Sequence, residues 1–309
     1  MARAASLARP LNPCPMKTNL LHGLSLTLLS LLLYACPPAP QAVDLAWSGL
    51  PPDIRPGIQD TLILDDLGIA DTVYVLSGTT LQAASKNILN RSGNDLPASA
   101  DFDIRVRLEQ YAFQAVLPAS VRYVPTGNFL VDTLLDGPAP IGGLDSALFT
   151  ANLNQPLNCG MYKLSMYIDP GQDLMETDTS NNLYEDFLFV LSQQQFNIQL
   201  NTPEPARVQE SVGPNQLAHT YSVLPASPTI TNAFYTNFKV QTNMGSTASS
   251  APVPSVNLSP LPALITVRVS PSAPPVDVIE NMEVKITVIS ADGCVIKQRA
   301  ALIEILHDI

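Results

Sequence analysis

The chain has 309 residues and a formal net charge of -11, with 16 basic and 27 acidic side chains. The basic residues form no cluster along the sequence, so the chain lacks the positive patch that nucleic acids and anionic lipids attract, and we exclude both as binding partners. Only 14% of the residues are charged, whereas 28 are proline. Together with frequent Ser, Thr and Asn, this composition is typical of secreted β-sheet modules.

The first 35 residues predict a signal peptide. A positive start at Lys17, an apolar run over 24–33 and the small residue Ala35 follow one another in the order of a secretory signal. The first 15 residues contain three prolines and no apolar core, so we expect Met16 to be the true start. The apolar run is shorter than the roughly 20 residues of a transmembrane helix, and prolines follow it at once.

The stretch from Leu31 to Cys36 resembles the lipobox of bacterial lipoproteins, with Leu33 three residues and Ala35 one residue before the cysteine. The resemblance implies that the Cys36 thiol carries a diacylglyceryl group and anchors the mature chain to a membrane of the cell envelope. A cysteine that is incidental to an ordinary signal peptide is the alternative. Pro37, in place of an aspartate, favours the outer membrane by analogy with lipoprotein sorting, and its surface and periplasmic faces both stay open.

A proline-rich segment follows the signal peptide, with three prolines in residues 37–40. Because proline favours extended polyproline II, we predict that residues 36–59 are the lipidated cysteine and a tether. After the signal peptide about 270 residues remain, which at roughly 100–150 residues per domain indicates two domains. We place them at 60–192 and 193–309.

Short β-type runs predict the strands of the first domain. In the clearest run, Phe102, Ile104, Val106 and Leu108 alternate with charged side chains, as expected of an antiparallel strand with one buried face. A turn cluster at 90–93 precedes this run. Further strands are predicted over 61–64, 72–76, 80–89, 113–117, 120–124, 129–135, 147–153, 160–168 and 183–191.

The segment from Gly160 to Asn182 carries the most specific pattern. It reads Gly-x-Tyr, then an alternating strand that ends in Asp-Pro, a glutamate several residues later, and Asn-Asn before a final strand. This resembles the C-terminal half of CARDB, the cell-adhesion-related domain found in bacteria, and the resemblance covers residues 60–192. It implies an immunoglobulin-like β-sandwich and a role in adhesion or scaffolding. The stretch from Tyr111 to Gly143 is longer than the family pattern.

The second domain is predicted from its hydrophobic pattern alone. Apolar residues alternate over 196–200 and again over 282–288, and Asp292-Gly293 predicts a tight hairpin turn before the last strand. Further β-type runs cover 233–241, 264–269 and 301–306. We therefore predict a second β-sandwich and an all-β protein with two immunoglobulin-like sandwiches.

The densest polar cluster lies in the loop between the strands at 160–168 and 183–191. Its acidic residues Asp169, Asp173, Glu176 and Asp178 are candidate ligands of Ca²⁺, which takes six to eight oxygens. The spacing is not that of an EF-hand loop. Asp and Asn side chains also bond neighbouring backbone amides in turns, and this structural interpretation is the alternative. No other cofactor is predicted.

Two cysteines follow Cys36, and they lie in different predicted domains. An oxidising envelope compartment permits a disulfide between Cys159 and Cys294. Two small buried thiols are the alternative, because free cysteine often packs like a small hydrophobic residue. The sequence does not supply the Cα separation that decides between them.

The sequence offers little support for catalysis. Beyond the signal peptide the chain contains only two histidines, of which we interpret His219 as a strand or surface residue and His307 as part of the terminal tail. It has no Gly-x-Ser-x-Gly elbow and no His-Glu-x-x-His site, so we predict that the protein is not an enzyme. The lone Trp47 is expected to pack, because its side chain carries a large apolar area.

These expectations combine into one predicted function. The chain is predicted to be a lipid-anchored, non-catalytic envelope lipoprotein that acts as an adhesion or protein-interaction module, with other envelope or surface proteins as partners. One alternative is a carbohydrate- or peptide-binding accessory lipoprotein, which expects an exposed aromatic strip or a groove. The other is an envelope assembly factor, which expects a long uncharged edge strand.

Overall fold

Nineteen strands and one short 3-10 helix, Glu210–Val212, make up the secondary structure of the described chain. The structure is a computed structural model, and it describes residues 41–63, 72–116, 120–192, 195–272 and 278–307. The predicted signal peptide, Cys36 and the start of the tether lie outside these ranges. No helix within them is long and apolar enough to cross a membrane. The all-β prediction is confirmed.

Ten strands build the first sandwich. They are β1 (Leu45–Trp47), β2 (Asp53–Arg55), β3 (Ile58–Ile63), β4 (Thr72–Leu76), β5 (Thr80–Asn90), β6 (Asp103–Val116), β7 (Ser120–Asp136), β8 (Ser146–Pro156), β9 (Gly160–Ile168) and β10 (Leu183–Val190). In one sheet, β5 pairs with β1 and β2 along one side and with β8 along the other. The other sheet has six strands in the order β3-β4-β10-β9-β6-β7.

The alternation predicted in β6 sets its two faces. Ile104, Val106 and Leu108 are fully buried between the sheets, where they meet apolar residues of β9. The intervening Arg105 and Arg107 lie on the outer face and both bond the Asp132 carboxylate of β7. The period of two therefore separates core from surface, as expected of a strand with one solvated face.

Strands β1 and β2 correct the predicted extent of the tether. The predicted tether extends to residue 59, but Leu45 and Trp47 lie in the core of the first sandwich. The Trp47 Nε1–H donates to the carbonyl oxygens of Met166 (3.1 Å) and Asn182 (2.8 Å). Strands of three residues are too short to show an alternating pattern, so the sequence does not reveal them. The predicted packing of Trp47 is confirmed.

Nine strands build the second sandwich. They are β11 (Phe196–Leu200), β12 (Ala206–Gln209), β13 (Gln216–Pro225), β14 (Ala233–Thr242), β15 (Thr247–Ala251), β16 (Val256–Leu258), β17 (Ala263–Ser270), β18 (Ile279–Ser290) and β19 (Ile296–Leu306). One sheet has the order β11-β13-β17-β15 and the other β12-β19-β18-β14-β16. The predicted alternation over 282–288 is buried in the core between them. Strand β13 is missing from the sequence prediction, although it is an inner strand of its sheet.

The stretch that departs from the CARDB pattern forms a long hairpin. Strand β6 has 14 residues and β7 has 17, and two register shifts near Glu109 bend their pairing. Beyond Tyr111, β6 pairs with β7 alone, because β9 begins opposite that residue. The end of the hairpin therefore extends past the sheet and can contact the second sandwich.

Candidate functional site

An apolar cluster, which we call the junction, connects the two sandwiches. Its buried members are Val73, Tyr123, Met161 and Phe189 from the first sandwich and Phe234, Ile289 and Ile296 from the second. The ring centroids of Phe113 and Phe234 are 5.9 Å apart, and those of Tyr123 and Phe189 are 6.2 Å apart. Aromatic pairs at such distances add to the stabilisation from buried area. The long β6–β7 hairpin supplies Phe113 and Tyr123, so the extra length of this stretch builds the junction.

The hairpin also bonds the tight turn that the sequence predicts at Asp292-Gly293. The Tyr123 hydroxyl donates to the carbonyl oxygen of Gly293 at 2.5 Å. Burial raises the pKa of Tyr123 well above its usual value, and the nearby charge of Asp292 raises it further, so the hydroxyl keeps its proton. Gly293 has φ +72°, and a Cβ there would lie 2.3 Å from the Phe113 ring. Glycine is needed at this position for both its backbone conformation and its lack of a side chain.

A disulfide joins Cys159, just before β9, to Cys294, in the turn between β18 and β19. The two Cα atoms are 5.3 Å apart, within the range that such a bond requires. Of the two alternatives for these cysteines, the structure has the disulfide. The Ser192 amide also donates to the Cys294 carbonyl at 3.3 Å. Residues 42–309 accordingly form one compact unit.

The polar loop between β9 and β10 lies at the end of the first sandwich away from the junction. The two carboxylate oxygens of Asp169 accept the amides of Asp173 and Leu174, each at 2.9 Å. One Asp178 oxygen accepts both the amide and the hydroxyl of Ser180, which lowers the pKa of that carboxyl. These contacts are the side chain to backbone bonds that the structural interpretation of the loop expects.

Glu176 connects the same loop to the start of the sandwich. Its two carboxylate oxygens accept the Leu45 amide at 3.2 Å and the Asn182 side-chain amide at 2.6 Å. Burial raises the pKa of Glu176, although both hydrogen bonds oppose the rise. In the described ranges, no three His, Cys, Asp or Glu side chains are grouped to hold a metal ion. Asp173, the remaining calcium candidate, is exposed on the loop surface.

His307 is not the tail residue that the sequence suggests. It follows β19, is 4% exposed and lies between two carboxylates. Its Nε2 is 2.9 Å from Glu280 and its Nδ1 is 3.0 Å from Glu210. Burial lowers the pKa of His307, but the two glutamates outweigh it and hold the pKa above its usual value.

We call the pair of His307 and Glu280 the buried ion pair. Glu280 is fully buried. The hydroxyls of Thr242 and Ser246 also donate to its carboxylate. Burial raises the pKa of Glu280, but its hydrogen bonds, including the one from His307, outweigh burial and hold it below the usual value. The group lies at the end of the second sandwich away from the junction, where it connects the starts of β18 and of the 3-10 helix to the end of β19.

His219 is separate from the buried ion pair. It lies in β13 with its side chain fully buried, bonded through Nδ1 to Thr202 (2.8 Å) and through Nε2 to the Leu302 carbonyl oxygen (3.1 Å). Burial lowers its pKa. His219 is predicted to be a strand or surface residue. Its position in a strand is confirmed, and a position at the surface is wrong.

A free sheet edge runs along β8 of the first sandwich. Strand β8 has 11 residues, none of them charged, and among the described strands it pairs with β5 alone. Phe149 and Ala151 point into the core, while Leu148 on the outer face is 64% exposed. A cavity of about 350 Å³ lies at the start of the strand. Its lining is Leu89, Asn90, Arg91, Leu144, Asp145 and Ser146.

No protein-family model matches the chain, and no curated protein matches it. Among solved structures it is similar to a CARDB domain. That domain comes from Pyrococcus furiosus and was crystallised with di-metal ions; it is 15% identical at a TM-score of 0.27, over 48% of this chain and 94% of that one.

Two further structures are similar. One is a protein of unknown function from Porphyromonas gingivalis, 11% identical at a TM-score of 0.23, over 72% of this chain and 91% of that one. The other is CfaE, the adhesive subunit of the CFA/I fimbria of enterotoxigenic Escherichia coli, 13% identical at a TM-score of 0.26, over 75% and 81%.

Proposed function

We propose that the protein is a lipid-anchored, non-catalytic module for adhesion or protein interaction in the cell envelope. The observation that supports it is the junction, where a disulfide, an apolar cluster and the Tyr123–Gly293 hydrogen bond hold the sandwiches in one arrangement. A fixed arrangement favours binding, because less conformational freedom is lost when a partner docks. The arrangement offers solvated sheet faces and a free edge for such docking.

Lipidation of Cys36 is the second part of the proposal, and it rests on the sequence. One chain of lipid gives only marginal membrane binding, whereas a diacylglyceryl group supplies two. Palmitate labelling of cells with wild-type protein and with Cys36→Ala tests it, with globomycin to block the signal peptidase. We expect the label on the wild type and none on the variant, and equal labelling would contradict lipidation at this residue. Protease treatment of intact cells then separates a surface location from a periplasmic one.

Adhesion is tested with cells that carry the wild-type protein, Cys36→Ala, or no protein. We expect wild-type cells to adhere to neighbouring cells or to an envelope preparation more than cells of the other two strains. The purified full-length protein, added in detergent below its lytic concentration, should compete and reduce that adhesion. Equal adhesion by cells without the protein would contradict the proposal.

The free edge of β8 favours protein partners over carbohydrate. A sugar-binding surface of the predicted kind needs a strip of exposed aromatic rings, and among the described aromatic residues only Phe129 is largely exposed to solvent. The assembly-factor alternative instead expects a long uncharged edge strand, and β8 has both properties. Binding through a strand edge is therefore the form of protein interaction that the geometry supports best.

A further inference from the structure

Strand β8 differs from the other sheet edges in the described part of the chain. The edge strands β1, β2, β11, β12, β15 and β16 have five residues or fewer. Strand β3 has six residues and a register shift, and β7 carries charged residues, Pro125 and two register shifts. Proteins protect their edges with these devices, because a bare edge pairs with other strands. Among the sheet edges in the described ranges, only β8 is both long and uncharged.

The regular part of β8 is long enough to accept another strand. Residues 146–152 pair with β5 without a shift, and the irregularity follows them, near Asn154, whose φ is +47°. In this regular part, alternate residues point their N–H and C=O groups away from β5, where a further strand would bond them. The Ser146 N–H already donates to the Asp145 carboxylate at 2.7 Å, so the available groups belong to residues 148, 150 and 152. On the outer face, Ser146, Leu148, Thr150 and Asn152 are exposed and present no charge.

The cavity at the start of β8 adds a site for one side chain. Leu89 and Leu144 contribute its apolar surface, and Leu144 is 78% exposed with φ +61°. Arg91 and Asp145 supply one positive and one negative charge, so the lining has no net charge. In strand addition, main-chain bonds give affinity and such pockets select side chains.

We propose that β8 binds an extended, uncharged segment of a partner protein by strand addition, with one apolar side chain of that segment in the cavity beside Leu89 and Leu144. This inference rests on the proposed interaction function and names the kind of partner. A second copy of the chain is a poorer occupant, because two copies of this acidic chain repel one another. The cavity fits an apolar side chain, and an exposed segment of a partner protein can place one there.

The probe is a display library of random nine-residue linear peptides, selected on the immobilised full-length protein in detergent. Enriched peptides are then measured by fluorescence polarisation against wild type, Leu148→Lys and Leu264→Lys. Leu264 is the matched control, since it is 59% exposed on the outer face of a sheet in the second sandwich. Lysine at position 148 places a charge on the β8 edge, which natural proteins use to block pairing.

We expect the enriched peptides to be uncharged with one fixed apolar position. They should bind wild type and Leu264→Lys equally, and Leu148→Lys at least about tenfold more weakly, a loss of about 1.4 kcal/mol. Methylation of alternate peptide amides should abolish binding, because it removes the main-chain donors. Circular dichroism checks the fold of each variant, and Thr150→Lys, on the same exposed face, replaces Leu148→Lys if that variant does not fold.

Several results would overturn the inference: no enriched peptide, equal binding to the position 148 variant, or equal binding of the methylated peptides. A concentration-dependent dimer that Leu148→Lys abolishes, without peptide enrichment, would assign the edge to a second copy instead. The adhesion assay separates this inference from the proposed function. If Leu148→Lys cells still adhere and the variant still binds the peptides as the wild type does, the interaction function is retained and its assignment to β8 is rejected.

Discussion

The two sandwiches close their outer ends, the ends away from the junction, with different chemistry. In the first sandwich, the carboxylates of Asp169 and Glu176 accept backbone and side-chain amides of the loop and of β1. In the second, Glu280 and His307 form the buried ion pair, with Glu210 beside it. At the first end, neutral amide groups donate to the carboxylates. At the second end, the buried Glu280 carboxylate depends on its pairing with His307.

This difference sets how each end responds to perturbation. Asp169 is buried, but Glu176 is only half-buried, so the Glu176 carboxylate can exchange its bonds to amides for bonds to water at modest cost. A buried ion pair is expensive to break, because removal of one partner leaves the other charged and out of water. We therefore expect the second sandwich to be more sensitive to a single substitution at its end, and more dependent on pH near neutrality.

The largest expected effect is that of Glu280→Ala. It leaves His307 and the hydroxyls of Thr242 and Ser246 without their shared acceptor, and we expect a loss of about 3–5 kcal/mol in the free energy of unfolding. Urea denaturation measures it. The matched control is Glu304→Ala, which breaks the exposed pair with Arg207 and should cost no more than about 1 kcal/mol. Similar losses for both variants would show that the buried ion pair contributes no more to the free energy of unfolding than an exposed ion pair does.

At the first outer end, Glu176→Ala should have a smaller effect. The Leu45 amide and the Asn182 side chain lose their acceptor, and we expect a loss of about 1–3 kcal/mol. Glu176→Gln keeps one carbonyl acceptor and should recover part of the loss. Urea denaturation applies here as well. A loss larger than that of Glu280→Ala would reverse the comparison between the two ends.

The two histidines should titrate in opposite directions from the ordinary value of about 6.5. The pKa of His307 is raised, so its contribution to stability is complete below about 6.5 and is lost as pH rises through the folded-state pKa. The pKa of His219 is lowered by burial, so its contribution is complete above about 6.5 and is lost as pH falls through the folded-state pKa. NMR titration of both imidazoles measures this, and His307→Gln assigns the signals. Equal pKa values would contradict the burial and pairing of the two rings.

The smallest expected effect is that of calcium. Because both oxygens of Asp169 and of Glu176 already accept hydrogen bonds, we expect no change in the melting temperature on addition of millimolar Ca²⁺ or of a chelator. Differential scanning calorimetry checks this. A ligand at 100 times its Kd stabilises by about 2.7 kcal/mol, so a rise of several degrees would favour the calcium interpretation of the loop instead.

The contrast between the two ends also explains what the sequence can predict. The bonds of Asp169 and Asp178 span only two to five residues, so a local run of Asp and Asn is enough to predict them. The buried ion pair and the neighbouring Glu210 bring together residues 210, 280 and 307, and no local pattern links positions so far apart. A histidine two residues from the end of the chain therefore looks like part of a tail.

Similar limits apply to strands and cores. Periodicity predicts β4 and β9 with their correct bounds, because each is a simple alternating or β-branched run. It does not predict that Lys86 of β5 is buried, since a charged side chain in a core needs particular partners. Its Nζ lies 4.0 Å from the centre of the Tyr184 ring and donates to the Leu50 carbonyl. The disulfide and the free edge of β8 likewise depend on tertiary geometry.

The disulfide has a mechanical consequence when the chain is pulled from its two ends. The loop that Cys159 and Cys294 close, with a sequence separation of 135, contains β9, β10 and most of the second sandwich. Tension applied between the two ends of the chain passes across the sulfur–sulfur bond and bypasses that loop. At about 3.3–3.6 Å per residue, the loop would otherwise add roughly 450–490 Å of extended chain. Under pulling, only the residues before Cys159 and after Cys294 can lengthen, and reduction of the bond would release the remainder.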